Sequence, residues 1–383
     1  MEKLGLYLNL LSYKTNYAGI FFFREEKNFK KETKFIENDC YIFISEQYEI
    51  KVYPRHSEKL DREELLFSVK VNNNEFTLCN PFRKKNLLEP NVNNINIIKN
   101  KLWYVVNSLP KKNGKEDIGV NEDYYLNEGD MFKIGPEIFS LTKINIQNYK
   151  KNNNIDYLNF ESRQIFETCF QTIILDKSKL CKHIIDELKE GKDLESIHKI
   201  NEIQTNNKKV KVYKITSKIC KDCSKLYPLR YKLTENSEII EMKALSQIKE
   251  SDNNKNYIRI ESLEKIEEPC HKYIYYVELT GENETFTFDS DGGDIPIYSN
   301  NSSYKKIEKL YKSAIKYNKN VGKLSLENLG GYTGTMVLIQ NNYFKIPEKK
   351  EIYLQSGKTF FKAKIMDKEE YENIEKEENN KNK

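Results

Sequence analysis

Histidine is scarce in this chain, with four residues among 383. That scarcity leaves little room for a histidine-based catalytic centre. Several enzyme signatures are also missing, namely the G-x-x-x-x-G-K-[ST] phosphate loop, the G-x-S-x-G nucleophile turn and the H-E-x-x-H zinc-protease helix. These absences favour a protein that catalyses nothing.

Long apolar runs are absent as well. No stretch of about 18 apolar residues occurs, so we expect no membrane span. The apolar N-terminus is interrupted by Lys14-Thr15-Asn16 and has no small-residue cleavage site, so we expect no signal peptide. Seven unevenly spaced cysteines do not resemble a secreted disulfide framework. The expectation is a cytoplasmic or cytoskeleton-associated protein.

A strong excess of one charge is also lacking. The 63 basic residues nearly cancel the 58 acidic ones, which leaves a net charge of +5. Lysine and asparagine are spread along the whole chain, which is typical of a solvated surface rather than a basic patch. We therefore expect no nucleic-acid partner.

Aromatic residues, in contrast, are plentiful at 12% of the chain. They alternate with β-branched residues in segments such as Tyr41–Ile44 and Tyr273–Val277, and Leu102–Val106 is a further strand-like segment. This composition predicts strands, and hence a mainly β protein. Asn72-Asn73-Asn74 predicts a hairpin turn. The single tryptophan, Trp103, is predicted to lie in a core.

Two short segments share one pattern. Leu126-Asn-Glu-Gly129-Asp130 precedes Phe132, and Leu354-Gln-Ser-Gly357-Lys358 precedes Phe360. In each, the glycine predicts a tight turn because it accepts a positive φ at little cost. The repetition indicates an internal duplication of β-sandwiches.

The middle of the chain has a different spacing. Apolar residues including Ile173, Ile184, Leu188 and Ile197 recur at helical intervals, so one or two short helices are predicted between residues 160 and 203. A predicted strand at Val210–Ile215 then leads to a pair of cysteines. The acidic end of the chain is predicted to be a frayed helix or disordered.

The closing run from Lys323 to Ile365 has short strands separated by Gly330-Gly331, Gly334-Thr335 and Ser356-Gly357. It resembles the end of a forkhead-associated (FHA) domain, a β-sandwich that binds phosphothreonine peptides through its loops. Together with Cys220-Lys-Asp-Cys223, this order of segments is similar to protist proteins with two FHA domains around a RING-variant zinc domain.

The resemblance implies a mainly β fold with two degenerate FHA-like β-sandwiches flanking a small α/β, RING-variant-derived middle unit. The implied organisation is an N-terminal extension (1–35), an FHA-like sandwich (36–149), the middle unit (155–250), a second FHA-like sandwich (255–366) and a charged tail (367–383).

The resemblance also implies where phosphate would bind. A working FHA domain uses an arginine, a Ser-x-x-His loop and an asparagine, and charged hydrogen bonds to phosphate are strong. Here Ser290 stands at the arginine position, between two aspartates that would repel phosphate. Ser303 is kept, whereas Lys306 replaces the histidine and Gly330 replaces the asparagine. Lys305 and Lys306 leave open a shifted anion site.

A RING-type ubiquitin ligase would hold two zinc ions with eight ligands. Only Cys220-x-x-Cys223 has a chelating spacing here, so most of the ligand set is missing. One zinc ion held by Cys181, His183, Cys220 and Cys223 stays open. A redox pair is not expected, because no helical pattern of a βαβ unit follows these cysteines.

The segment Asp289–Asp294 has residue types found in calcium loops, but it lacks the closing glutamate and is predicted to be a turn. The sequence thus predicts a non-catalytic interaction protein that binds other proteins and needs no cofactor, apart from the one open zinc site. The alternatives are an active RING-variant-type ubiquitin ligase and a phosphopeptide reader with a site rebuilt around Ser303 and Lys306.

Overall fold

The structure is a computed structural model. It describes residues 4–12, 30–45, 50–54, 63–79, 102–106, 124–135, 137–147, 149, 173–175, 195–200, 210–217, 231–233, 256–262, 271–281, 283–289, 293–296, 312–329, 335–339, 343–348, 350–357 and 359–381.

The described part of the chain is mainly β, as predicted, with one helix at the C-terminal end. The strands are β1 (Leu4–Ser12), β2 (Lys30–Ile36), β3 (Cys40–Ser45), β4 (Ile50–Tyr53), β5 (Glu63–Asn72), β6 (Glu75–Cys79), β7 (Leu102–Val106), β8 (Tyr124–Leu126), β9 (Met131–Ile134), β10 (Glu137–Asn145), β11 (Ile173–Leu175), β12 (Glu195–Ile200), β13 (Val210–Ser217), β14 (Tyr231–Leu233), β15 (Tyr257–Ser262), β16 (His271–Glu278), β17 (Asn283–Asp289), β18 (Ile295–Pro296), β19 (Lys312–Asn318), β20 (Lys323–Asn328), β21 (Thr335–Leu338), β22 (Tyr343–Lys345), β23 (Ile352–Ser356) and β24 (Thr359–Asp367). The helix, α1, spans Lys368–Lys381.

Twelve of the described strands form one sheet, which we call the large sheet. Its strand order is β12-β13-β16-β15-β10-β9-β21-β7-β23-β24-β1-β2. A five-stranded inner sheet has the order β18-β17-β19-β20-β8, and a five-stranded outer sheet has the order β22-β6-β5-β3-β4. A short parallel pair, β11 and β14, forms separately.

Two apolar cores lie on the large sheet. The inner core joins one half of it to the inner sheet through residues such as Phe132, Phe139 and Phe288. The outer core joins the other half to the outer sheet through residues such as Phe67 and Phe361. Tyr104, on β7 between the two halves, packs against both cores.

The strand pairing runs across the predicted sandwich boundaries. Tyr104 of β7 is paired with Val337 of β21 on one side and with Leu354 of β23 on the other. Leu126 of β8 likewise pairs with Leu324 of β20. The division into sequential domains stays a prediction, and within the described residues strands from both predicted sandwiches share each core.

The turns predicted at asparagine and glycine positions are present in the structure. Asn73 and Asn74 have φ of 49° and 64°, and they join Asn72 to its partner Glu75 as a two-residue hairpin turn. Gly129 and Gly357 have φ of 93° and 54° in the two segments with the shared pattern. The two turns connect different elements. Gly357 lies in the turn of the β23–β24 hairpin, whereas Gly129 lies in the turn between β8 of the inner sheet and β9 of the large sheet.

The prediction of one or two short helices between residues 160 and 203 is wrong for the part of that region that the structure describes. Ile173–Leu175 and Glu195–Ile200 are strands. Ile197 lies opposite Ile215 of β13, so pairing with a neighbouring strand decides the local conformation. Long-range pairing of this kind overrides a local periodicity signal.

Candidate functional site

The residues proposed from the sequence lie outside the described part of the chain. This holds for the phosphopeptide candidates Ser290, Ser303, Lys305, Lys306 and Gly330. It also holds for the metal candidates Cys181, His183, Cys220 and Cys223. The structure instead describes the strand ends that border the phosphopeptide candidates.

Those strand ends lie together at one end of the inner sandwich. Asp289, the last residue of β17, is paired with Lys312, the first residue of β19. Ser313 is paired with Asn328, the last residue of β20. We call the positions Asp289, Lys312, Leu329 and Thr335 the loop end, because chain segments 290–292, 297–311 and 330–334 connect these strands there.

Hydrogen bonds hold the loop end together. The Leu329 amide donates to the Lys312 carbonyl oxygen at 2.9 Å. The hydroxyls of Ser313 and Thr335, which are fully buried, bond to each other and so connect the inner sheet to the large sheet. Buried hydroxyls that are satisfied in this way fix the spacing of the two sheets.

A tight bend closes one side of the loop end. The Asp294 carboxylate accepts hydrogen bonds from the Thr287 amide at 3.0 Å and from the Thr287 hydroxyl at 3.2 Å. A Cβ on Gly293 would lie 2.7 Å from the Asp289 amide nitrogen, so this position needs glycine. Asp294 therefore has a structural partner, which supports the turn interpretation. Within the described ranges, no group of three His, Cys, Asp or Glu residues is arranged to hold a metal ion.

The surface at the loop end is mixed in chemistry. Leu329 is 37% exposed and Lys312 is exposed, while Asp289 is half-buried. At the opposite end of the same strand pair, the β19–β20 turn presents Val321, which is 46% exposed. An apolar side chain next to a lysine and an aspartate can contact a protein surface.

A buried polar cluster on the other face of the large sheet had no signal in the sequence. The Lys133 ammonium donates to Gln355 Oε1 at 2.8 Å and lies 4.9 Å from the centre of the Trp103 ring. The Nε2 atom of the Gln355 side chain donates to the Gly357 carbonyl oxygen at 2.6 Å. Trp103 is fully buried, as predicted. The cluster joins β9, β7 and β23, and it connects the two halves of the sheet.

Burial raises the pKa of several titratable groups in the cores. Burial raises the pKa of the Cys40 thiol to about 12, and burial also raises the pKa of Cys79. Both are free thiols. Burial and the neighbouring Asp130 carboxylate raise the pKa of Tyr124 well above its usual value. Asp130 accepts hydrogen bonds from the Asn127 amide at 2.7 Å and from the Tyr124 hydroxyl at 3.3 Å, which fixes the Gly129 turn.

No protein-family model, no curated protein and no solved structure matches this chain. The FHA and RING-variant resemblances therefore stay predictions. Among the described residues, no helix has both the length and the apolar character needed to cross a membrane.

Proposed function

We propose that this protein is a non-catalytic interaction protein, a constitutive part of a larger assembly that binds other proteins through the loop end of the inner sandwich. The observation that supports this most directly is the meeting of three strand termini, Asp289, Lys312 and Thr335, at one end of a sandwich, together with Leu329 directly after β20. Loops held on a rigid β scaffold are the common place for binding residues.

The local chemistry supports contact rather than catalysis. The hydroxyls of Ser313, Thr335 and Thr287 bond to structural partners. Leu329 presents an apolar side chain beside the charged Lys312. Interfaces combine an apolar centre with a polar rim in this manner.

The proposal includes the FHA-like ancestry of the sandwiches, a RING-variant-derived middle unit and a place in the cytoplasm or on the cytoskeleton. FHA domains bind through the loops at one end, and the candidate residues Ser290, Ser303 and Gly330 fall in the three segments connecting the loop end. Loss of most phosphate ligands leaves the scaffold able to present these loops to a partner.

The test is affinity purification of the full-length tagged protein from its own cells, compared with two variants. Leu329→Asp alters the loop end, and Val321→Asp is the matched control at the opposite end of the same strand pair. We expect Leu329→Asp to reduce co-purifying partners about tenfold, since truncating or charging a central apolar contact costs more than 1 kcal/mol. Equal loss in both variants, or no loss in Leu329→Asp, would overturn the proposal.

Two additional measurements separate the alternatives. Phosphatase treatment before purification removes partners only if phosphate is still recognised, which would favour a phosphopeptide reader. Metal analysis of the purified chain distinguishes the ligase, because that activity needs two bound zinc ions per chain.

A further inference from the structure

The helix α1 docks on the edge of the large sheet through a small aromatic cluster. It begins after Asp367, whose side chain caps it by accepting a hydrogen bond from the Glu370 amide at 2.7 Å. The helix packs against β24 and β1. The Tyr371 ring stacks on Phe35 of β2, with ring centres 4.9 Å apart, and also contacts Tyr7 of β1 at 6.0 Å.

A glycine makes this docking possible. A Cβ on Gly5 would lie 2.2 Å from the end of the Phe35 ring, so the absent side chain leaves the space that the ring fills. Phe35 is thereby held flat against Tyr371, with an interplanar angle of 21°. The Tyr371 ring therefore contributes to the docking of α1 on β1 and β2.

The polar end of Tyr371 faces solvent. Its hydroxyl donates to Glu375 Oε1 at 3.1 Å on the exposed side of the helix. The helix sequence KEEYENIEKEENNK contains six glutamates and three lysines, a net charge of −3 (3 minus 6). The hydroxyl thus lies on the exposed side of an acidic helix, where it is bonded to one carboxylate.

We propose that Tyr371 is a phosphorylation site that releases α1 from the sheet. The phenol oxygen attacks the γ-phosphorus of ATP, the bond to the bridging oxygen of ADP breaks, and the phenol proton passes to the base of the kinase. The flanking glutamates select a tyrosine kinase with a basic substrate groove. This inference is independent of the function proposed for the loop end.

Release follows from charge. The product has a phosphate of about −2 where the hydroxyl donated to Glu375, so a hydrogen bond is replaced by repulsion. A favourable effect of the helix N-terminus is small, because it falls off within the first turn and Glu369 and Glu370 already occupy that turn. Without the tyrosine stack, the Lys364–Glu370 ion pair and the Asp367 cap still connect the helix to β24.

The placement of Tyr371 distinguishes it from the strand tyrosines. A kinase binds an extended segment, and α1 can unwind without breaking sheet hydrogen bonds. Tyr7, by contrast, is 2% exposed in β1, which pairs on both sides with β2 and β24. An exposed helix that makes no sheet hydrogen bonds opens more readily than a strand that is paired on both sides.

The experiment treats the folded full-length chain with a recombinant tyrosine kinase that accepts acidic substrates, together with Mg-ATP, and maps phosphate by peptide mass spectrometry. We expect Tyr371 to be modified before the strand tyrosines. Hydrogen exchange should then become about tenfold faster in residues 368–381 and in the peptide containing Phe35. Unmodified Tyr371 in a chain phosphorylated elsewhere would overturn the proposal, and so would modification without faster exchange.

Three variants sharpen the test. Tyr371→Phe keeps the ring and should show slow exchange after kinase treatment. Glu375→Gln removes the nearest repelling carboxylate, so phosphorylation should accelerate its exchange less than in the unchanged chain. Gly5→Ala displaces Phe35 and should speed exchange of α1 without any kinase. Slow exchange in Gly5→Ala would show that the aromatic cluster does not hold the helix and would overturn the mechanism.

Discussion

The inner and outer cores lie on one continuous sheet, yet the chain builds them from different parts of its length. The outer core combines the first strands with the last, as in the pairing of Leu8 with Ala363. The inner core is assembled mainly from strands between β8 and β21. One sandwich is therefore nested within the chain path of the other, and the outer one is complete only when both chain ends are in place.

This difference has a kinetic consequence. Bringing β1 to β24 closes a loop of nearly the whole chain, which costs entropy that grows only logarithmically with length. Non-local pairing of this kind slows folding more than it reduces stability. Local hairpins occur in both cores, for example β19–β20 in the inner one and β23–β24 in the outer one. We expect the inner core to form before the outer core is complete, because only the outer core needs the β1–β24 pairing.

Removing an aromatic side chain from one core should have the largest effect. Phe361 stacks on Phe67 with ring centres 4.6 Å apart in the outer core. Phe361→Ala should reduce the free energy of unfolding by about 3–5 kcal/mol, since it removes buried area and leaves a cavity. Urea unfolding measures the loss. Hydrogen exchange should place it in the outer core.

The matched variant is Phe139→Ala. Phe139 packs against Phe132 and Phe288 in the inner core, at ring distances of 5.5 and 5.3 Å. In the Phe139→Ala variant, hydrogen exchange should become faster in β9, β10 and β17 and not in β1 or β24. If both variants accelerated hydrogen exchange equally in both cores, the two cores would be one cooperative unit and would not open separately.

The sequence predicted many strands and turns but not their partners, and it predicted helices in the region where β11 and β12 are strands. The aromatic and β-branched residues of Leu102–Val106 and the asparagines at the β5–β6 turn are local features, so the sequence alone predicted a strand and a turn there. The placement of β7 between β21 and β23 depends on packing across more than 200 residues. The Lys133–Gln355 bond has the same character, with partners 222 residues apart. At the loop end, the sequence indicated which segments connect the strands, while only the topology shows that Asp289 and Lys312 are neighbours.

The buried polar cluster tests how the two halves of the sheet are connected. Lys133 lies on β9 in the inner half, and Gln355 lies on β23 in the outer half. Lys133→Met should cost about 1–3 kcal/mol of unfolding free energy, because the buried Gln355 oxygen loses its donor. The double variant Lys133→Met/Gln355→Leu should cost less than the sum of the single variants. Additive costs in the double-mutant cycle would show that the pair does not couple the halves.

The two glycine turns should differ by a smaller amount. Gly357 has φ of 54°, which lies in the left-handed region that other residues enter at a cost of about 1 kcal/mol. Gly129 has φ of 93°, which lies outside that region, so a side chain there is more strained. Gly129→Ala should therefore lower the unfolding midpoint more than Gly357→Ala. The reverse order would mean that the hairpin turn, and not the sheet-crossing turn, limits stability.

The smallest perturbation uses thiols that the outer sandwich already contains. Because burial raises the pKa of Cys40 to about 12, its reactive thiolate is scarce at pH 8. Alkylation by iodoacetamide should thus be slow, and it should rise about tenfold per pH unit while the pH stays below that pKa. The contribution of the Cys40 thiol to the free energy of unfolding should be constant at pH values below the ordinary thiol pKa. It should fall as the pH rises above that value, because the unfolded chain then releases the thiol proton more readily than the folded chain. Peptide mass spectrometry separates Cys40 and Cys79 from the other cysteines. Phe361→Ala should accelerate alkylation of Cys40 and Phe139→Ala should not, because only the former opens the core that contains it.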